Sequence, residues 1–84
     1  MNYFYVLKNV KNGNLYFGYT GDLKKRLVQH NSNEVRSTKN RGRWRLVYYE
    51  AYYSENDAKH REYSIKLRGN AYLQLKKRIK GCIT

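Results

Sequence analysis

Glu62 is a carboxylate in an apolar place. A helix advances about 100° per residue, so Ala58, Glu62 and Ile65 share one face of a segment whose opposite face carries Lys59 and Arg68. Burying an unpaired charge is expensive, so a carboxylate in such a stripe is paired or binds a metal. On position alone two readings of Glu62 stand level: a metal ligand, or the partner of Lys66 in an i, i+4 ion pair. Arg26 and His30 are also four residues apart and lie along the edge of a Leu23/Leu27 stripe. Taken singly, Arg26 reads as an alkyl stem laid over the core margin, and His30 as a space-filler near a helix C-terminus. The chain has 10 tyrosines, and Tyr3, Tyr5, Tyr16 and Tyr19 alternate along two strand-like runs where aromatic cross-strand pairs stabilise a sheet. A tyrosine beside Arg26 can have its pKa lowered from about 10 and do proton chemistry, whereas one facing a groove can stack on bases.

The elements that must hold these residues follow from the patterning. Tyr3 to Lys8 and Leu15 to Thr20 are aromatic and β-branched runs separated by Asn12-Gly13, which predicts a β-hairpin with a tight primed turn. From Asp22, a candidate N-cap, the spacing of Leu23, Leu27 and His30 predicts a first helix running to about Asn31. Residues 32 to 43 are polar and carry Arg36, Lys39, Arg41 and Arg43 against only Glu34, a basic loop. Trp44 to Tyr53 returns to strand composition. Ser54 with Asp57 three residues on resembles a capping box and opens a second helix over about 55–67. Gly69 is expected to end that helix in the left-handed conformation, and Asn70 to cap a third helix with Tyr72, Leu75 and Ile79 on one face. The fold class is therefore α/β (α+β), a three-stranded antiparallel sheet flanked by about three helices.

Composition sets limits on what such a unit binds. At 84 residues the chain is expected to form one domain with a shallow site. Lys and Arg number 18 against 6 Asp and Glu, a net charge of +12 that a small acidic substrate does not require and a polyanion does. The 15% aromatic content argues against a disordered basic tail. Cys82 is the lone cysteine, so no disulfide partner and no cysteine zinc site are expected. No segment approaches the ~20 apolar residues that span a bilayer, and no signal-like N-terminus is present, so a soluble cytoplasmic protein is expected.

Tyr5-Val6-Leu7 and Tyr16-Phe17-Gly18, followed by Asp22 to Leu27 and His30-Asn31, closely resemble the GIY-YIG nuclease superfamily. Trp44 to Glu50 is similar to that family's third strand and Ala58 to Lys66 to its acidic helix, so the resemblance runs to roughly residue 80. It is strongest to small standalone bacterial members, and implies a single GIY-YIG-like nuclease domain over residues 1–84 with no attached specificity domain. Tyr3-Phe4 stands where the family's Gly-Ile would be, and Phe17 replaces the middle Ile of the second motif, both at apolar or structural positions.

The resemblance implies a metal-dependent DNA endonuclease hydrolysing phosphodiester bonds. The implied catalytic residues are Tyr5, Tyr16, Arg26, His30 and Glu62, with Gly18 packing at the site and Glu62 the metal ligand for one divalent ion, Mg2+ or Mn2+. Tyr5 or Tyr16 would orient and help deprotonate the attacking water, Arg26 would stabilise charge on the phosphate, and His30 would accept a proton. An asparagine of some homing members corresponds to Asn70, for which the helix-cap role is preferred. Arg36, Lys39, Arg41, Arg43, Lys76, Lys77 and Arg78 are the expected phosphate contacts. Single-stranded or branched DNA is expected to be preferred over plain duplex, because Tyr19, Trp44, Tyr48, Tyr49, Tyr52 and Tyr53 exceed what one small core needs. The alternative function is a non-catalytic basic nucleic-acid-binding module.

Overall fold

A computed structural model describes all residues 1–84. In chain order the elements are β1 (Asn2–Asn9), β2 (Leu15–Thr20), α1 (Leu23–Asn31), β3 (Trp44–Tyr52), α2 (Glu55–Lys66), α3 (Asn70–Arg78) and a short α4 (Lys80–Ile83). The strands form one antiparallel sheet in the order β2-β1-β3. β1 is the central strand, which explains its unbroken run of buried residues from Phe4 to Leu7.

Alternation on β1 builds two separate cores. Phe4 and Val6 point to one face and meet Phe17, Ile65 of α2, Leu75 of α3 and Ile79, which follows α3. Tyr5 and Leu7 point to the other, with Trp44 and, from α1, Leu23 and Leu27. The sheet is thus sandwiched between α1 and the α2/α3 pair. A register shift between Val6 and Leu7 in the β1–β3 pairing locally twists β3. On the α2 side, Glu50 of β3 accepts from Arg61 of α2 at 3.0 and 3.1 Å and from the hydroxyls of Tyr48 and Tyr52. Burial pushes Glu50 up, but Arg61 and the two hydroxyls outweigh it and hold its carboxyl below the usual range. That cluster ties α2 to the edge strand.

Asp22 caps α1 by accepting from the Lys25 amide at 3.0 Å, and Ser54 caps α2 through the Asp57 amide at 3.4 Å. Three local expectations are corrected. The hairpin connection is not a two-residue primed turn: Val10 to Asn14 form a five-residue loop in which only Gly13 takes positive φ, at 78°. Asn9 organises that loop, its side-chain oxygen accepting from the amides of Lys11 and Asn12 at 2.9 and 3.1 Å. Second, the left-handed residue after α2 is Arg68, with φ 59°, and not Gly69. Third, Gly69 occupies the cap position of α3 without a side-chain hydrogen bond, and Asn70 is the first helical residue.

Residues 32–43 are basic but not a free loop. Val35 and Thr38 are buried, and two asparagines hold the segment down. The Asn31 side chain makes paired bonds with the backbone of Trp44 at 2.7 and 3.0 Å, and Asn9 donates to the Arg41 carbonyl at 2.7 Å. No helix of the chain is long and apolar enough to cross a membrane.

Candidate active site

The β1–β2 register places Gly18 directly opposite Tyr5, and Tyr16 opposite Leu7. Residues directly opposite share a face of the sheet, so Tyr5, Tyr16 and Gly18 all lie on the α1 side. α1 adds Arg26 and, about one turn on, Gln29 and His30, while α2 adds Glu62 and Glu55. Tyr5, Tyr16, Gly18, Arg26, Gln29 and Glu62 line one cleft of about 470 Å³. It is open and shallow, as expected of a chain this small.

Beneath the cleft runs a buried hydrogen-bond relay. The Tyr5 hydroxyl lies 2.8 Å from His30 Nε2, and His30 Nδ1 lies 2.7 Å from Thr38 Oγ1. Assigning the Thr38 hydrogen to the Val35 carbonyl, 3.5 Å away, makes Thr38 the acceptor of His30 Nδ1–H. Nε2 is then left bare to accept the Tyr5 O–H. Tyr16 packs edge-on to the same imidazole, with ring centroids 5.0 Å apart. His30 is therefore more than a space-filler at the end of α1: every polar atom of its ring is committed.

Burial sets the protonation states. It lowers His30 to about 4, helped by the Arg26 charge, so the imidazole is neutral at ordinary pH. It raises Tyr5 to about 12, against the opposing pull of the Arg26 guanidinium. The expectation that Arg26 lowers the pKa of a neighbouring tyrosine is thus overturned for Tyr5, because desolvation outweighs the cation. In the resting chain Tyr5 is a neutral phenol donating to a neutral histidine.

A stability consequence follows. In the unfolded chain His30 titrates near 6.5, so below that pH the unfolded state takes up a proton that the native state refuses. Stability is then full above about pH 6.5, falls as pH drops toward about 4, and levels off below, a loss on the order of 3 kcal/mol over the full window. The urea midpoint should be lower at pH 5 than at pH 7, and His30→Gln should flatten that difference. An identical midpoint at both pH values would contradict a buried neutral His30.

Glu62 makes the ion pair of one of its two readings. Its side chain is 19% exposed, and one carboxylate oxygen accepts from Lys66 Nζ at 3.3 Å. The same Lys66 ammonium lies 5.6 Å from the centre of the Tyr16 ring. No group of three or more His, Cys, Asp or Glu residues is assembled for a metal. A single half-buried carboxylate is a hard oxygen donor, and this set fits a mostly hydrated cation such as magnesium, which keeps several waters and takes one or two carboxylates. It does not fit a closed zinc site.

The basic residues expected to contact phosphate do not share one surface. Arg36, Lys39 and Arg43 are exposed and line no concavity. Arg41 lines a second groove beyond Tyr16. Lys76 lies 5.3 Å from the Tyr72 ring, Lys77 is exposed, and Arg78 turns to the Tyr48/Glu50 cluster on another face. The aromatic surplus is also smaller than expected. Trp44 is buried and Tyr48 and Tyr52 are bonded to Glu50, leaving exposed Tyr49 of β3 and Tyr53, the residue after that strand. Thr38 and Gln29 are site residues that sequence reasoning missed, whereas Lys66 pairs with Glu62 as its spacing allows. Gln29, one residue before His30 on α1, accepts from Arg26 at 3.3 Å.

This geometry has counterparts. The GIY-YIG catalytic domain family matches residues 1–79. A UPF0213 protein of Clostridium perfringens is 44% identical over 77 residues, covering 89% of this chain and 82% of the relative. One from Staphylococcus saprophyticus is 41% identical over 66 residues, covering 77% of this chain and 79% of the relative. The solution NMR structure of the UPF0213 protein BH0048 from Bacillus halodurans superposes with a TM-score of 0.56 at 35% identity, covering 96% of this chain and 87% of that one. With the hairpin tyrosines, the α1 arginine and histidine and the α2 glutamate gathered about one cleft, and the match spanning nearly the whole chain, this protein belongs to the GIY-YIG family of nuclease domains.

Proposed function

We propose that residues 1–84 act as a single-domain endonuclease that hydrolyses phosphodiester bonds in DNA with the aid of one divalent cation, Mg2+ or Mn2+, held by Glu62. The observation that carries this reading is the convergence of Tyr5, Tyr16, Arg26 and Glu62 on one cleft from four different elements. A cation there supplies positive charge to the phosphate oxygens and eases departure of the 3′-oxygen. Arg26 adds a fixed positive charge beside the pentacovalent phosphate. Tyr5 lines the cleft with its O–H committed to His30, so its oxygen retains acceptor capacity for the attacking water. Water, Tyr5 and His30 Nε2 then form one hydrogen-bonded line, with a neutral imidazole at its end to receive the proton. The water oxygen bonds to phosphorus as the bond to the 3′-oxygen breaks, and that oxygen takes a proton from solvent, leaving a 5′-phosphate and a 3′-hydroxyl.

Single-stranded or branched DNA is the proposed preference. The molecule measures 29 × 26 × 20 Å, and a shallow cleft on a body that small cannot enclose a duplex. Incubation with single-stranded, duplex and branched DNA of matched sequence, with and without Mg2+ or Mn2+, tests both points. Cleavage is expected only with metal, and faster on unpaired strands. Binding without cleavage in any metal would favour the non-catalytic module, for which the occupied Glu62–Lys66 ion pair is the supporting observation.

A further inference from the structure

The largest concavity of the molecule, about 1020 Å³, is not the catalytic cleft but a groove beside it. Its walls come from three places far apart in sequence: the hairpin loop with Lys11 and Asn14, the segment after Thr38 with Arg41, and the α2–α3 turn with Arg68 and Tyr72. Tyr16 lines both this groove and the cleft, so the two adjoin at that residue. Their charge differs in kind. The cleft is lined by Asp22, Glu55 and Glu62 besides Lys25 and Arg26, whereas no carboxylate lines the groove.

Arg68 is the most informative wall residue. It holds φ at 59° although Gly69, which adopts such a conformation at no steric cost, is the next residue. A side chain in that region costs of order 1 kcal/mol and persists where something else requires it. The guanidinium is laid over the Tyr72 ring at 4.8 Å, donates to the Tyr72 hydroxyl at 2.9 Å, and has no carboxylate partner. A preorganised, uncompensated arginine lining the same groove as Lys11 and Arg41 is an arrangement for phosphate oxygens.

We propose that this groove is the track for the substrate strand on one side of the scissile phosphate, with Lys11, Arg41 and Arg68 neutralising successive backbone phosphates. The proposal rests on the nuclease reading for the position of the cut, and on charge and shape for the binding itself. The strand runs from the groove past the Tyr16 ring into the cleft. Phosphate affinity is thus concentrated at the basic end, and the acidic end is left to a cation.

The test is fluorescence anisotropy of a fluorescein-labelled single-stranded DNA oligonucleotide in EDTA across a salt series, with cleavage in Mg2+ measured separately. Each phosphate contact on a single strand adds about 0.7 to the slope of log affinity against log salt. Lys11→Ala/Arg41→Ala/Arg68→Gly should therefore lower the slope by about 2 and weaken binding roughly tenfold near physiological salt. Glycine at 68 removes the charge while relieving the backbone, and Arg41→Lys in place of Arg41→Ala should restore about one contact. A charge-matched Lys24→Ala/Lys59→Ala/Lys80→Ala protein, altered at residues lining neither concavity, should bind much nearer to wild type. Equal loss in the two triple variants overturns the groove, even if wild type cleaves. A groove-specific loss with no cleavage in any metal supports the groove as a strand site and removes the nuclease reading instead.

Discussion

Glu62→Gln should reduce DNA cleavage by about a thousandfold or more, because loss of the cation's charge at the phosphate removes several kcal/mol of transition-state stabilisation. The fold should survive. Lys66 is 46% exposed, and a solvent-accessible i, i+4 pair contributes well under 1 kcal/mol, so thermal midpoints of variant and parent should nearly coincide. Affinity for single-stranded DNA in EDTA should also persist. The counterpart Lys66→Met separates the two roles of Glu62 that position alone left level. If Glu62 serves only to pair with Lys66, the two variants should be impaired alike. If it holds a cation, Glu62→Gln should be inactive and Lys66→Met only moderately slowed. A Glu62→Gln protein cleaving at the parental rate would remove the metal from the mechanism.

What could be read from the sequence was whatever depends on local periodicity. The strands, the Asp22 and Ser54 caps and the helical face of Glu62 rest on side chains that interact within a few residues of one another, and each forms as the patterning implies. The misses arise where a neighbouring side chain overrides what composition favours, or where a contact crosses the fold. Asn12-Gly13 has the composition of a tight turn, but Asn9 reaches forward to the Lys11 and Asn12 amides and enlarges the loop. Gly69 is suited to the left-handed position, yet the chain places Arg68 there, where its side chain lies over Tyr72. Thr38 carried no signal because it sits in a polar run, and its role depends on His30, eight residues away in the chain. The direction of the Tyr5 shift was misread for the same reason. Proximity to Arg26 can be guessed from spacing, whereas complete burial of the ring depends on the packing of α1 and β3 against β1.

Gly18→Ala should impair activity far more than a single methyl group ordinarily would. The backbone at Gly18 has no positive φ, so glycine is required there for room and not for conformation. A Cβ at this position would stand 2.5 Å from Tyr5 Cζ and 3.0 Å from Cε1, well inside van der Waals contact. The Tyr5 ring cannot swing away freely, since it is 1% exposed and its hydroxyl is tied to His30 at 2.8 Å. Either the ring moves and the water–Tyr5–His30 line is broken, or β2 is pushed away from β1. Displacement of about 1 Å at a positioning group costs on the order of a hundredfold in rate, and overpacking costs about 1–3 kcal/mol of stability. Both losses should appear together in cleavage rate and urea midpoint. A double-mutant cycle assigns them to the Tyr5 contact: in the Tyr5→Leu background, which removes Cζ and the hydroxyl, Gly18→Ala should cost much less stability, while cleavage stays low because the phenol is gone. Stability costs that simply add across the cycle, or a Gly18→Ala protein with parental rate and midpoint, would show that the close approach of Gly18 to Tyr5 does not position the site.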